Sequence, residues 1–185
     1  MTTIQIKHRP SIIGLSGKMG SGKTYLANYM TAKYRFPKAS FAAPLKEDLE
    51  RLGIEPEYLY DTKPDIIRIL MQVYGQAHRF QDPDYWLKRG MSFADDLRKM
   101  AGGLPVVIDD VRFVNEADEI RRRGGIVVRV VNTRNLGLPG SDDISEIALD
   151  DYEHFQDMVV AGPGQLDLLQ RKMDDILVST GCIDG

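Results

Sequence analysis

The sequence predicts an α/β fold built on a parallel sheet, and three observations carry that prediction. Four short runs are apolar at almost every position: Ile12 to Leu15, Val106 to Ile108, Ile126 to Val131 and Met158 to Ala161. Strands covered by helices on both faces read this way. Stretches with helical spacing separate the runs, the alternation that supplies crossovers between parallel strands. Finally, 185 residues at 43% hydrophobic and 28% charged are enough for an ordinary core, burying about 70% of the unfolded chain's surface. A single domain is expected.

In order along the chain, Ile12 to Leu15 is the first strand and Tyr25 to Tyr34 the helix after a glycine-rich turn. Ala39 to Ala42 is a weaker strand candidate. The segment 44–102 holds about three helices, more than one crossover needs, so it reads as an inserted helical lobe on a core of about 11–43 and 103–180. Within it, Thr62 is expected to cap a helix with Pro64 in its first turn. Ile66, Leu70, Val73, Ala77 and Phe80 then fall at offsets of 0, 4, 7, 11 and 14 residues, one stripe expected to be the buried face. Asp82 and Pro83 open the next helix, with Trp86, Leu87, Gly90, Ala94, Leu97 and Ala101 inward and Gly102 and Gly103 at its end. Asn115 is expected to cap a helix with Glu116, Asp118 and Glu119 first and Arg121 to Arg123 last, stopped by Gly124. The segment of about 132–150, rich in Asn, Gly, Pro, Ser and Asp, reads as a mobile lid. Leu166, Leu169, Met173, Ile176 and Leu177 mark the last helix.

Composition excludes several classes. One cysteine, Cys182, and three scattered histidines, His8, His78 and His154, cannot build a disulfide framework or a Cys/His zinc cluster in one chain. No apolar run approaches the roughly 20 residues that cross a bilayer. The polar N-terminus, broken by Pro10, lacks the apolar core of a signal peptide, so a cytoplasmic protein without a membrane partner is expected. With 24 basic and 27 acidic residues the net charge is −3, which argues against a nucleic-acid surface.

The chemistry begins at Gly17-Lys18-Met19-Gly20-Ser21-Gly22-Lys23-Thr24, which satisfies G-x-x-x-x-G-K-[ST] between a buried strand and a helix. Glycines let backbone N–H groups turn inward on phosphate, and the helix N-terminus adds partial positive charge. Lys23 is expected to reach the β- and γ-phosphates of a bound nucleotide and Thr24 to ligate Mg²⁺, with Lys18 a further cation at the loop's mouth. This is the phosphate loop of P-loop NTPases, a three-layer α/β/α sandwich with a parallel sheet. Asp109 and Asp110, at the carboxyl end of the third long strand, are candidates to position Mg²⁺. Arg112 is placed to grip a phosphate bidentately, and Arg134 to swing onto the transferring group from the lid. Thr62-Lys63-Pro64-Asp65 matches the guanine-reading [NT]-K-x-D string. It follows no apolar strand, and no D-x-x-G starts at either aspartate, so a GTPase is disfavoured.

Five further segments resemble a known family. They are Phe41-Ala42-Ala43-Pro44-Leu45-Lys46, Asp82-Pro83-Asp84-Tyr85-Trp86, Asp110-Val111-Arg112-Phe113-Val114-Asn115-Glu116, Ser145-Glu146-Ile147-Ala148-Leu149-Asp150, and Ile13 to Lys18 leading into the loop. Taken in chain order they are similar to bacteriophage deoxynucleoside monophosphate kinases over residues 11 to about 178. The resemblance implies ATP and Mg²⁺ as cofactors, a deoxynucleoside monophosphate (dNMP) acceptor, a homodimer and the host-cell cytoplasm. It also places Lys46, Arg112 and Glu146 among the acceptor contacts. The chain departs from the family's usual Asp at Ala43, His at Asp143 and Asn-Asp-Gly at Gly162-Pro163-Gly164.

The lobe supplies further acceptor candidates. Arg68, Gln72, Gly75 and Arg79 form a second stripe about 200° from the apolar one, suited to phosphate, a base edge and close approach. Arg68 and Arg79 lie roughly 16 Å apart along the axis, so they should serve different ends of the ligands. Trp86, with Tyr74 and Tyr85, could stack a base or simply fill the core. An anionic phosphate acceptor needs no strong general base, which agrees with the lack of a Ser/His/Asp constellation. Dephospho-coenzyme A or phosphomevalonate as acceptor, and an ATPase without an acceptor, are the alternatives.

Overall fold

The computed structural model describes residues 9–133, 147–162 and 164–184. Five parallel strands form one sheet: β1 (Ile12–Ser16), β2 (Lys38–Ala39), β3 (Val106–Val111), β4 (Ile126–Asn132) and β5 (Asp157–Ala161), in the order β2-β3-β1-β4-β5. The apolar stretches of β1, β3 and β4 are buried because helices cover both faces of the sheet. On one face α1 (Lys23–Tyr34) and α6 (Leu166–Ser179) pack on Ile13, Leu15, Val107, Val128 and Val130. On the other, α4 (Tyr85–Met100) and α5 (Val114–Arg122) pack on Ile12, Val106, Ile108 and Val127. Gly14 is required there: a Cβ would stand 2.8 Å from Ile120 Cδ1 and 2.9 Å from Val111 Cγ2.

The helical segment divides. Met91 and Ala94 of α4 belong to the sheet's core, so this helix doubles as the β2–β3 crossover. Ahead of it, α2 (Ala43–Arg51), a π turn (Glu57–Asp61) and α3 (Asp65–Gln81) close a separate cluster of Leu45, Leu49, Leu59 and Trp86. Arg89 of α4 ties this cluster to α2 by a bidentate pair with Asp48, whose carboxyl it holds below the usual range.

Four local expectations are corrected. Residues 40–42 are not strand, because Ser40 Oγ and the Phe41 and Ala42 N–H groups donate to the Asp110 carboxylate instead of to a neighbouring strand. Thr62 ends the π turn and Pro64 takes the cap of α3, with Lys63 between them at φ 44°. Asn115 lies inside α5: its amide donates to Pro83 O and Asp84 Oδ1, while Glu116 accepts the Phe113 N–H at the helix start. The stripe of Ile66, Leu70, Val73 and Phe80 is not buried; it faces outward at 70, 36, 59 and 93% exposure. α3 instead packs through Ile67, Met71 and Tyr74 on the lobe cluster, with His78 stacked on Tyr85. These four repeat the same 0, 4, 7, 11 offsets one residue on. Most of the expected lid, 134–146, lies outside the described residues.

Candidate active site

β1 ends at Ser16 and the chain turns through Gly17, Gly20 and Gly22, all at positive φ. Gly17 is the tightest: at φ 145° a Cβ would meet Val130 O at 2.2 Å and Ser21 Oγ at 2.7 Å. A side chain there would push the loop off β4. The turn runs directly into α1, whose first N–H groups face the loop. Lys23 folds back over it, its Nζ donating to Gly17 O at 2.5 Å and Lys18 O at 2.9 Å, and only 8% of the residue is exposed. The glycine backbone, the helix N-terminus and an enclosed ammonium suit a polyphosphate, so the residues present fit the nucleotide implied by the motif.

Asp109 and Asp110 point to opposite sides of β3, as strand alternation requires. Asp109 looks toward α1, with Lys38 Nζ 3.9 Å away. Burial raises its pKa, the Asp110 charge adds to this, and Lys38, the Thr24 hydroxyl and Lys23 pull the other way. Asp110 is already engaged: one oxygen accepts from Ser40 Oγ and the Ala42 N–H, the other from the Phe41 N–H, at 2.6 to 2.9 Å. Its expected place beside a metal is therefore corrected to a bracket for the start of α2. Among the described residues no three His, Cys, Asp or Glu side chains cluster as metal ligands. A hydroxyl and one carboxylate beside a phosphate loop nonetheless suit Mg²⁺, which keeps several of its waters.

The other expected residues spread around this centre. Lys18 pairs with Asp150 at 3.1 Å, and Asp150 also accepts from Arg129 at 2.6 Å. Arg129, beside Ser16 in the β1–β4 register, donates to the Ser16 hydroxyl at 3.1 Å. Lys46 lies over the Tyr60 ring at 4.7 Å; burial and then the nearby Lys63 lower its pKa, against Asp110 and Asp109. Arg68 donates from Nε to Lys63 O, and Gln72 is exposed. Arg79 lies over the Phe113 ring at 4.3 Å, which turns the polar side of α3 toward the end of β3. Arg112 stands at that end, its N–H donating to Glu116 Oε2 at 2.8 Å. Met19 is exposed on the loop, while Ser21 is buried beside Lys23. Trp86 is corrected from a ligand contact to core: it is 1% exposed and its indole N–H is satisfied by Gly75 O at 3.0 Å. Arg134 and Glu146 lie outside the described residues.

Sequence reasoning missed Lys38, Arg129, Asp150 and Glu116 as site-shaping groups. Arg129 had one visible signal, a charge in the middle of an otherwise apolar buried strand. Glu116 is 3% exposed and accepts two backbone N–H groups, from Arg112 and Phe113. Burial pushes its carboxyl up to about 7.

A phosphate loop at the β1–α1 junction of a five-stranded parallel sheet defines a P-loop nucleotide-binding protein. Two viral proteins are similar to it in sequence. "Uncharacterized protein ORF76" of Ictalurid herpesvirus 1 (strain Auburn) is 30% identical over 177 residues, 93% of this chain and 70% of that protein. "Putative deoxynucleotide monophosphate kinase" of Acanthamoeba polyphaga mimivirus is 31% identical over 150 residues, 64% of this chain and 72% of that protein. The chain belongs to the family of these proteins, a nucleotide-kinase family. No family model matches. Among solved structures, TT1252 from Thermus thermophilus superposes with a TM-score of 0.42 at 18% identity, over 93% of this chain and 98% of that one.

Proposed function

We propose that the protein transfers the γ-phosphoryl group of ATP to the 5′-phosphate of a dNMP, giving ADP and the deoxynucleoside diphosphate. The observation that carries this reading is the common focus of three elements at one end of the sheet. The Lys23 loop ends β1, Asp109 faces it from β3, and Arg79 and Arg112 stand where the lobe meets that strand. The name of the mimivirus relative points to the same acceptor class.

In this mechanism an anionic oxygen of the acceptor phosphate attacks the γ-phosphorus in line. The bond to the bridging oxygen breaks with its electron pair left on ADP, and no general base is needed. The residues act by positioning and neutralisation. Lys23 exchanges the Gly17 and Lys18 carbonyls for phosphate oxygens, a short rotation of an ammonium already at the loop. Thr24 and Asp109 would hold Mg²⁺, which would supply neutralisation of the phosphate charge. Arg112, backed through its own N–H by Glu116, holds the acceptor phosphate. Arg79 and Arg68, at opposite ends of α3, serve the phosphate side and the outer side of the acceptor pocket, with Lys46 between the lobe and β3. Arg134 is assigned to the transferring phosphoryl group and Glu146 to the acceptor, both outside the described residues.

The test is ADP release from the full chain with ATP and Mg²⁺ against a panel of dNMPs, ribonucleoside monophosphates, dephospho-coenzyme A and phosphomevalonate. Turnover that appears only when a dNMP is added supports the assignment. Equal ATP hydrolysis without acceptor, or a preference for either non-nucleotide, overturns it.

A further inference from the structure

Of the 17 residues of α3, the one that is buried is a glycine, Gly75. Glycine is a poor helix former because it loses more backbone freedom on folding than any other residue, so a buried glycine in mid-helix answers to something that uses the space of its missing side chain. Three groups border that space. A Cβ on Gly75 would lie 3.2 Å from Arg79 Nη1, 3.2 Å from Leu45 Cδ1 and 3.9 Å from Trp86 Nε1. Leu45 and Trp86 are its walls: they are 6 and 1% exposed, belong to one cluster, and the Trp86 indole N–H donates to Gly75 O at 3.0 Å. Arg79 is the occupant. It lies one helical turn after Gly75, and because helical side chains lean toward the N-terminus its guanidinium comes back over the bare backbone. The same guanidinium meets the Phe113 ring, with Cζ 4.3 Å from the ring centroid.

We propose that Gly75 is a positioning residue for the phosphoryl acceptor: its missing side chain is the slot that aligns the Arg79 guanidinium with Phe113, the neighbour of Arg112 at the end of β3. The proposal rests on the reading of Arg79 as an acceptor contact and adds how that side chain is held. By spacing alone Gly75 shares a stripe with Arg68, Gln72 and Arg79, where a glycine invites the close approach of a ligand. In the structure the close approach is made by the chain's own arginine. An arginine side chain has many rotamers, and fixing it before the acceptor arrives removes an ordering cost from binding. The slot and the ring do this with two contacts of different kinds, one steric and one between cation and π face. A methyl at position 75 would disturb the arginine first. Leu45 is backed by Leu49, Leu59 and Trp86 and has little room to retreat, whereas the guanidinium is the far end of a flexible side chain. A shift of tenths of an ångström is enough to matter, because a bidentate grip on phosphate works only over a narrow range of N–H to oxygen distance and angle.

Gly75→Ala in the full chain separates this role from a purely structural one. Alanine is the better helix former, so the thermal midpoint should hold or rise. The KM for dNMP should nonetheless rise roughly fivefold or more, with the KM for ATP within about twofold of the unaltered protein. Gly75→Ala/Arg79→Ala should match Arg79→Ala alone, since no guanidinium is left to misalign. A second readout needs no turnover: in NMR spectra the Arg79 Nε–H and Cδ protons should lose the ring-current shift of Phe113 in Gly75→Ala. If the methyl strains the lobe and the midpoint falls, Gly75→Ala/Leu45→Val removes the Leu45 Cδ1 contact. Recovery of the midpoint with the dNMP KM still raised supports the proposal; recovery of both overturns it. A ring-current shift that persists in Gly75→Ala also overturns it, as does an unchanged dNMP KM in Gly75→Ala when Arg79→Ala raises that constant. An Arg79→Ala variant with an unchanged dNMP KM refutes the acceptor reading of Arg79 and this proposal with it. Absence of any dNMP-dependent turnover in the unaltered protein refutes phosphoryl transfer to a dNMP, and the ring-current comparison then decides by itself whether Gly75 sets Arg79.

Discussion

Replacing Glu116 with Gln tests the electrostatics at the end of β3. The Glu116 carboxyl is 3% exposed, and burial pushes its pKa from 4.5 up to about 7. The Asp110 charge adds to the rise, while the Arg112 and Phe113 N–H groups and Arg79 oppose it. The folded protein therefore holds this proton more tightly than the unfolded chain. Linkage fixes the sign: stability contributed by the protonated group is present below about pH 4.5 and is lost as pH rises through about 7. The separation of the two values, at about 1.4 kcal/mol per unit, makes the full loss about 3 kcal/mol, of which about 2 to 3 falls between pH 5 and 8. A glutamine is neutral throughout and keeps an oxygen to accept both N–H groups. Urea unfolding of the two proteins at matched ionic strength measures the difference. Groups such as Glu119, held at about 2 chiefly by Arg122, are common to both and cancel. The stability of the native protein relative to Glu116→Gln should fall by about 2 to 3 kcal/mol from pH 5 to pH 8, the variant being the more stable at pH 8. Parallel pH profiles would refute the reasoning, because they would mean that Glu116 is ionised at pH 5 and paired with Arg79.

Lys23→Ala should lower turnover at least ~100-fold with a cooperative thermal transition retained, since about 3 kcal/mol of charge stabilisation is lost; near-normal turnover in a folded variant contradicts the phosphate-loop role. Gly90→Ala should destabilise by about 1 to 3 kcal/mol, because its Cβ would stand 2.4 Å from Phe41 Cδ1; it should also lower kcat by moving the Phe41 N–H that holds Asp110, and unchanged unfolding would show that Phe41 yields freely. Asp150→Asn should cost about 1 to 3 kcal/mol in urea unfolding, since Arg129, with 11% of its side chain exposed, loses its carboxylate. Asp109→Asn and Asp110→Asn should separate, the first lowering kcat with unfolding little changed, the second lowering unfolding stability; identical effects of both on both measurements would contradict their division of roles.

β1, β3 and β4 were legible because their apolar stretches are buried on both faces and so read as runs rather than a period. The phosphate loop was legible because glycine positions, Lys23 and Thr24 are local in sequence. α3 was misread for a physical reason: Ile66, Leu70, Val73 and Ala77 and Ile67, Met71, Tyr74 and His78 obey the same spacing one residue apart. Periodicity shows that a stripe exists, whereas the packing of Trp86 under Gly75 decides which stripe is covered. Asn115 illustrates a competition rather than an ambiguity, since the longer Glu116 side chain reaches the Phe113 N–H and frees the asparagine to hold the start of α4. The Lys18–Asp150–Arg129 pairs join residues 21 and more positions apart, with Arg129 set beside Ser16 by the parallel register of β1 and β4 and Asp150 reaching both from beyond β4. Nothing local could signal them.

Two adjacent carboxylates on one strand have different surroundings here, and that difference organises the site. Because side chains alternate across the sheet, Asp109 falls on the α1 side with Thr24 and Lys23, and Asp110 on the α4 side with Ser40, Phe41 and Ala42. The first faces the phosphate loop; the second fixes where α2, and with it the lobe, leaves the core. Two residues further along, Arg112 and Phe113 are held by Glu116, and Phe113 receives Arg79 from α3. The end of β3 therefore sets the loop side, the root of the lobe and the contact of the lobe's polar helix face within six residues.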